Sequence, residues 1–127
     1  MKLISHRGNL EGKINDLENK PDYILDALNK GFEVEVDIWY HKKKLYLGHD
    51  EPLYKTDLLF LGDNRLWCHA KNREALEHLL QYEVRTFWHQ EDDYTITSDK
   101  IIWQFPTKNQ KVNKNSIFLF PENYNYT

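Results

Sequence analysis

A single cysteine, Cys68, stands in a chain of 127 residues. One thiol cannot close an internal disulfide, so nothing argues for an oxidising compartment. Cys68 lies in an apolar stretch, as a small buried residue does. No apolar run approaches the ~20 residues that cross a bilayer. The N-terminus offers one lysine and then a strand-like segment, with no signal-peptide core. A cytoplasmic location and no transmembrane segment are therefore expected. Excess basic charge is also missing: 17 Lys and Arg face 20 Asp and Glu, for a formal charge of -3. That balance argues against a nucleic-acid partner. The one basic run, Lys42-Lys43-Lys44, reads as a solvated hairpin tip. No internal repeat is visible, and the only biased stretches are the Asn/Lys-rich 108–115 and the Asn/Tyr tail.

What is present suffices for one core. Hydrophobic residues make up 40% and aromatics 14% of the chain, enough for burial to offset chain entropy in a single domain over residues 1–127. Lys2 to Ser5 reads as a strand stopped by Gly8. Pro21 opens a helix carrying Tyr23, Ile24, Ala27 and Leu28 at helical spacing, and Gly31 ends it. Phe32 to Trp39 alternates. Phe32, Val34, Val36 and Ile38 face one way; Glu33, Glu35, Asp37 and Trp39 face the other. Residues 34–48 form a hairpin, 57–62 a short helix, and Leu66 to Lys71 a third strand. Glu74 to Tyr82 is a helix buried through Leu76, Leu79 and Leu80. Further strands are predicted at Val84–Trp88, Ile101–Phe105 and Ile117–Phe120, with loops or single turns over 89–100 and 106–116. Strands alternating with helices early in the chain imply β-α-β units and a parallel sheet, and the second half is poorer in helix.

Such folds place their sites at the carboxyl ends of strands. There the sequence puts His6 and Arg7, Glu35 and Asp37, His49, Lys71 and His89. Two carboxylates on one strand face repel each other unless a cation lies between them. A hard divalent cation relieves that repulsion and also binds phosphoryl oxygen. Arg7 is a planar fork suited to phosphate. Histidines on separate segments supply a proton acceptor and a proton donor near neutral pH.

At this point the chain resembles a family. His6-Arg7-Gly8, Glu18-Asn19, Glu35-Val36-Asp37 and His49-Asp50 are similar, in order and spacing, to the HRG…EN…ExD…HD pattern of glycerophosphodiester phosphodiesterases. These belong to the PLC-like phosphodiesterase superfamily of TIM barrels. The resemblance spans roughly residues 3–52 and thins after 72. It implies that His6 and His49 are the acid–base pair and that Arg7 contacts the phosphate. Glu35 and Asp37 would hold the metal, Mg²⁺ or Ca²⁺, and Glu18 would be a further ligand or orient the site. Lys71 resembles the lysine of the family's third-strand E-x-K motif, as a substrate-binding residue. Here that motif reads His69-Ala70-Lys71. His69 would be a ligand in place of an acid, and it suits a softer metal than Ca²⁺. Later, His89-Gln90-Glu91-Asp92-Asp93 and Phe120-Pro121-Glu122 resemble small viral and phage members of the superfamily.

The expectation is thus an α/β fold, a shortened or incomplete TIM barrel of about six core strands. It would hydrolyse a small phosphodiester with a divalent metal. Either histidine can serve as base, and the nucleophile is water or a neighbouring substrate hydroxyl. Two alternatives stand beside it. One is a degenerate barrel that binds a phosphodiester without turnover. The other is a subunit whose open sheet edge pairs with another chain, as in a homo-oligomer. Residue by residue, blander roles also stand: Glu18-Asn19 as a helix-entry cap, His49-Asp50 as a turn, and Trp39, Trp67, Trp88 and Trp103 as core.

Overall fold

The computed structural model describes residues 3–91, 94–104 and 116–118. Along the chain, β1 (Ile4–His6) leads into α1 (Pro21–Asn29) and β2 (Glu33–His41). Next come β3 (Lys44–Leu47), β4 (Tyr54–Thr56), the one-turn α2 (Leu58–Leu61) and β5 (Leu66–Ala70). Then follow α3 (Arg73–Leu80), β6 (Thr86–Phe87), β7 (Tyr94–Ile96), β8 (Ile102–Gln104) and β9 (Ser116–Phe118).

The helices form where the sequence supplies both a start and an apolar stripe. Pro21 occupies the first turn of α1, where a missing N–H is harmless. Ile24, Ala27 and Leu28 then share its buried face. Asn72 caps α3 by accepting from the Ala75 N–H at 3.0 Å, and Ala75 and Leu79 are buried. The Asn72 side chain also bonds Tyr40 at both N–H and C=O, which ties α3 to the end of β2.

Strand β2 is the spine. It pairs in parallel with β1 and with β5, and β5 pairs in parallel with β6. Beyond this block β2 turns back at Lys42 and Lys43, both at positive φ, into antiparallel β3, and β4 adds to β3. The basic run sits at this turn. A smaller sheet has the order β7-β8-β9. The expected shortened TIM barrel is therefore wrong. The main sheet is mixed, and only three short helices accompany nine strands among the described residues. Between β2 and β5, where a barrel needs a helix, the chain runs through a β-hairpin and a single helical turn. Strand β4 forms where no element is expected, and β7 forms within the expected loop 89–100. The last expected strand, Ile117–Phe120, appears as Ser116–Phe118; the rest of it and Glu122 lie outside the described residues.

Register separates the two faces of the parallel block. Val34, Val36, Ile38, Leu66, Cys68 and Ala70 pack on Ile24, Ala27, Leu28, Ala75 and Leu79 as the main core. The opposite face carries Glu35, Asp37, Trp67, His69 and Phe87, because Glu35 pairs with Trp67 and His69 with both Asp37 and Phe87. Ile4, Trp67, Phe87 and Trp103 form a second apolar cluster there. Strand β8 supplies Trp103, stacked on Phe87 at 4.6 Å. The acidic face of β2 is thus buried, with Glu35 2% and Asp37 0% exposed.

Gly48 ends β3 at a place with no room for a side chain. Its N–H donates to Asp37 C=O at 3.1 Å, and its own carbonyl accepts from Trp39 Nε1 at 2.7 Å. A Cβ there would overlap the carbonyl oxygen of Glu51. Gly48→Ala is expected to cost about 1–3 kcal/mol, read as a lower urea midpoint, and to displace the adjacent His49. An unchanged midpoint would mean that the turn relaxes freely.

Candidate functional site

Three segments of the parallel block bring charge together on the buried face. One donor atom each from Glu35, Asp37 and His69 lies within 4.8 Å of the others. His69 Nδ1 is 3.2 Å from Asp37 Oδ1 and 3.6 Å from Glu35 Oε1. His6, whose Cα pairs with Glu35 across β1 and β2, places Nε2 3.3 Å from Glu35 Oε2. That carboxylate oxygen is buried and has no hydrogen bond. An anionic oxygen in this state is costly unless a positive species stands near it.

Arg7 closes the other side. Its Nε is 2.7 Å from Asp37 Oδ2, a charge contact rather than a well-directed hydrogen bond. Its Nη1 is 3.3 Å from Glu18 Oε2. Arg7 has φ 57 in the tight turn after β1, a left-handed conformation that a long side chain adopts only when its surroundings impose it. The Arg7 N–H donates to Glu35 C=O, and Asn19 N–H donates to Arg7 C=O.

The electrostatics follow from this geometry. Burial and the charge of Asp37 push the Glu35 carboxyl up. Burial also opposes charge on Asp37, but the His69 hydrogen bond and Arg7 outweigh it and hold Asp37 well below the usual carboxylate range. Burial lowers His69 as well, yet hydrogen bonds to Asp37 and Glu35 raise it to about 9. His6 is pushed down to about 3, first by burial and then by Arg7. It therefore stays neutral across ordinary pH. Burial, then Arg7, lower His49 too.

A cleft of about 360 Å³ opens beside the cluster, lined by Arg7, His49, His69, Lys71, Trp88 and His89 among others. Most of its charged lining is cationic, as an anionic substrate requires. His49 is 39% exposed on this rim, with Nδ1 2.8 Å from Asp50 Oδ1. A larger cleft of about 460 Å³ lies at the amino ends of β5 and β6. Arg85 there is already bound to Asp99 and stands over the Trp67 ring. That cleft contains none of the groups just described.

The sequence-predicted residues are thus placed unevenly. Glu35, Asp37 and His69 converge; His6 and Arg7 flank them; His49 and Lys71 line the cleft. Glu35 and Asp37 are not at a strand terminus, since β2 runs on to His41, but its parallel pairing with β5 ends at Ile38. Glu18 lies outside the group of three. It bonds Arg7 and accepts from Asn9 Nδ2 at 2.9 Å, so it orients Arg7. The sequence reading assigns two contributors no place in the cluster, although Asn19 belongs to the Glu18-Asn19 motif. Asn19 Nδ2 donates to Asp37 Oδ2, and its Oδ1 accepts from the Asp37 N–H, each at 2.9 Å. Its φ of 66 suits an asparagine, which tolerates the left-handed region. The other is the His89 carbonyl, 3.0 Å from His69 Nε2; a backbone acceptor leaves no mark in the sequence.

The donor set fits a divalent cation. It consists of two carboxylates and an imidazole, with one buried carboxylate oxygen lacking a partner. Comparison with protein-family models, with curated proteins and with solved structures finds no match. Among the described residues, no helix is long and apolar enough to cross a membrane.

Proposed function

We propose that this protein is a phosphoric diester hydrolase that uses a divalent cation, acting on a small, glycerophosphodiester-like substrate. The observation that carries the reading is the Glu35–Asp37–His69 group, with neutral His6 beside it and a cation-lined cleft opening onto it. The resemblance of the first fifty residues to phosphodiesterases supports the same chemistry.

In this reading Glu35, Asp37 and His69 would hold the cation, which when bound would supply charge neutralisation at the phosphoryl oxygens. Lys71 and the cleft-facing part of Arg7 position the phosphate. Because Arg7 is also bound by Asp37 and Glu18, it serves equally to fix Asp37. His6, unprotonated beside Glu35, accepts the proton of the attacking water or substrate hydroxyl. The burial that keeps it neutral also makes it a weak base, so its contribution comes from position. A P–O bond forms as the bond to the leaving alcohol breaks, and His49 protonates that oxygen from the open rim. Asp50 orients the His49 ring through Nδ1.

Because burial and Arg7 hold His49 below its usual 6.5, the proton donor is lost early as pH rises. At saturating metal, kcat/KM is therefore expected to fall as pH rises through a value below 6.5, while His6 stays unprotonated down to about 3. A flat profile between pH 5 and 8 would contradict these roles.

The test uses chelator-treated protein, bis(p-nitrophenyl) phosphate and a glycerophosphodiester, with Mg²⁺, Ca²⁺ or Mn²⁺ added. The expected products are a phosphomonoester and an alcohol, formed only with metal. Substrate binding without turnover under every cation would identify a binding module instead.

A further inference from the structure

We propose that His69 ligates through Nδ1, and that this nitrogen makes the Glu35–Asp37–His69 group select a zinc-like dication over Mg²⁺ and Ca²⁺. The inference rests on the reading that this group takes a divalent cation.

The ring's orientation follows from its neighbours. His69 Nε2 faces the backbone carbonyl of His89 at 3.0 Å. A carbonyl can only accept, so Nε2 carries a hydrogen. Phe87 stacks on the imidazole at 5.0 Å and 9°, which fixes its plane. The ring is only 12% exposed, so it has little freedom to turn over. Nδ1 is then committed to the two carboxylates, 3.2 Å from Asp37 Oδ1 and 3.6 Å from Glu35 Oε1. In the neutral ring that nitrogen presents a lone pair to an oxygen of each of the two carboxyl groups. Such an arrangement is stable only with a proton or a metal ion between them.

The two spacings from Nδ1 suit a tetrahedral ion. Zn–N and Zn–O bonds of about 2.0–2.2 Å place neighbouring tetrahedral donors roughly 3.3–3.6 Å apart. The two distances from Nδ1 lie close to that range. A backbone carbonyl that receives the second ring N–H is the usual support of a metal-bound histidine. It fixes the tautomer and leaves Nδ1 as the donor. Nitrogen also decides the ion. Ca²⁺ takes six to eight oxygen ligands, and Mg²⁺ demands an octahedron of oxygens, much of it water. Imidazole instead favours Zn²⁺ and its neighbours in the first transition series. The second Glu35 oxygen, Oε2, lies 3.3 Å from His6 Nε2 and is buried without a hydrogen bond beside the same group.

The experiment titrates chelator-stripped protein with Zn²⁺, Mg²⁺ and Ca²⁺ by calorimetry. It then loads Co²⁺ as a paramagnetic stand-in for Zn²⁺ and records the proton NMR spectrum. The inference expects Zn²⁺ to bind on the order of a hundredfold more tightly than Mg²⁺ or Ca²⁺. It also expects one exchangeable, hyperfine-shifted imidazole N–H, from Nε2, that disappears in His69→Asn. His69→Glu, which restores an all-oxygen set, is expected to narrow the preference for Zn²⁺ at least tenfold. Should that variant not fold, the wild-type resonance and its loss in His69→Asn decide the matter. Equal affinity for the three cations, or Co²⁺ bound without the shifted N–H, would overturn the inference and leave cation-dependent hydrolysis standing. Binding of none of them would overturn both. Zinc bound with this signature but no phosphodiester hydrolysis would overturn only the proposed function.

Discussion

Replacing His6 with asparagine is expected to lower kcat for phosphodiester hydrolysis by about 10²–10⁴-fold, the range for loss of a positioned general base. Asparagine is chosen because His6 is 7% exposed and a smaller residue would leave a hole beside Glu35. His6 is not among the three donors that converge, so cation affinity should change little. KM should change less than kcat, because the lost interaction belongs to proton transfer. His49→Asn is expected to reduce kcat similarly, but its partly open position makes it less important to the fold. Undiminished turnover in both variants would remove the acid–base assignment. A loss confined to KM would instead assign these histidines to substrate binding.

The second large effect concerns stability. Asp37→Ala is expected to destabilise the protein by about 3–5 kcal/mol, the cost of taking from buried Arg7 the nearer of its two carboxylate partners. Arg7 is 8% exposed and has Asp37 as its shortest contact, at 2.7 Å. Asn19 would also lose its acceptor on the Asp37 side chain. Domains are stable by only about 5–15 kcal/mol, so this variant should be marginally folded at best. Equilibrium urea unfolding measures it. Asp37→Asn keeps the shape, and the difference between the two variants separates packing from charge. A loss below about 1 kcal/mol in Asp37→Ala would mean that Arg7 swings out to water and that its position in the cluster is not enforced.

The two effects share a cause, which also explains how much the sequence disclosed. Alternation along β2 separates Val34, Val36 and Ile38 from Glu35 and Asp37, so the pairing of the two acids on one face is legible. Their burial is not. It depends on Trp67, Phe87 and Trp103 arriving from other strands, and Trp103 comes from a different sheet. The β-α-β rhythm is real for β1-α1-β2 and for β5-α3-β6. The mistaken barrel came from the resemblance, which implied that fold for the whole chain, whereas β2 and β5 are joined by a β-hairpin and one helical turn. The intervening β4 and the later β7 are three residues each, Tyr54–Thr56 and Tyr94–Ile96, too short for periodicity to register.

The site was legible in its residue types and in which of them come together. His6, Arg7, Glu35, Asp37, His49, His69 and Lys71 all fall on the cluster or its cleft. Glu18 does not, because Asn9 and Arg7 hold its carboxylate elsewhere. The part of Asn19 was hidden because it depends on a left-handed backbone that lets one amide bond both ends of Asp37. Arg7 carried a signal that pointed only halfway. Its type suits phosphate, yet its nearest partner is the carboxylate beside it.

One measurement bears most directly on the claim that this cluster works as a cation-dependent phosphodiesterase centre. Chelator-stripped wild type and Glu35→Gln are titrated with the cation while bound metal and bis(p-nitrophenyl) phosphate turnover are followed in the same samples. Glu35→Gln keeps the size of the buried side chain and removes its charge. The account expects wild-type turnover to rise in step with one cation per chain, and both signals to be lost in Glu35→Gln. Turnover that ignores the chelator, or a Glu35→Gln protein that binds and hydrolyses as wild type does, would contradict it.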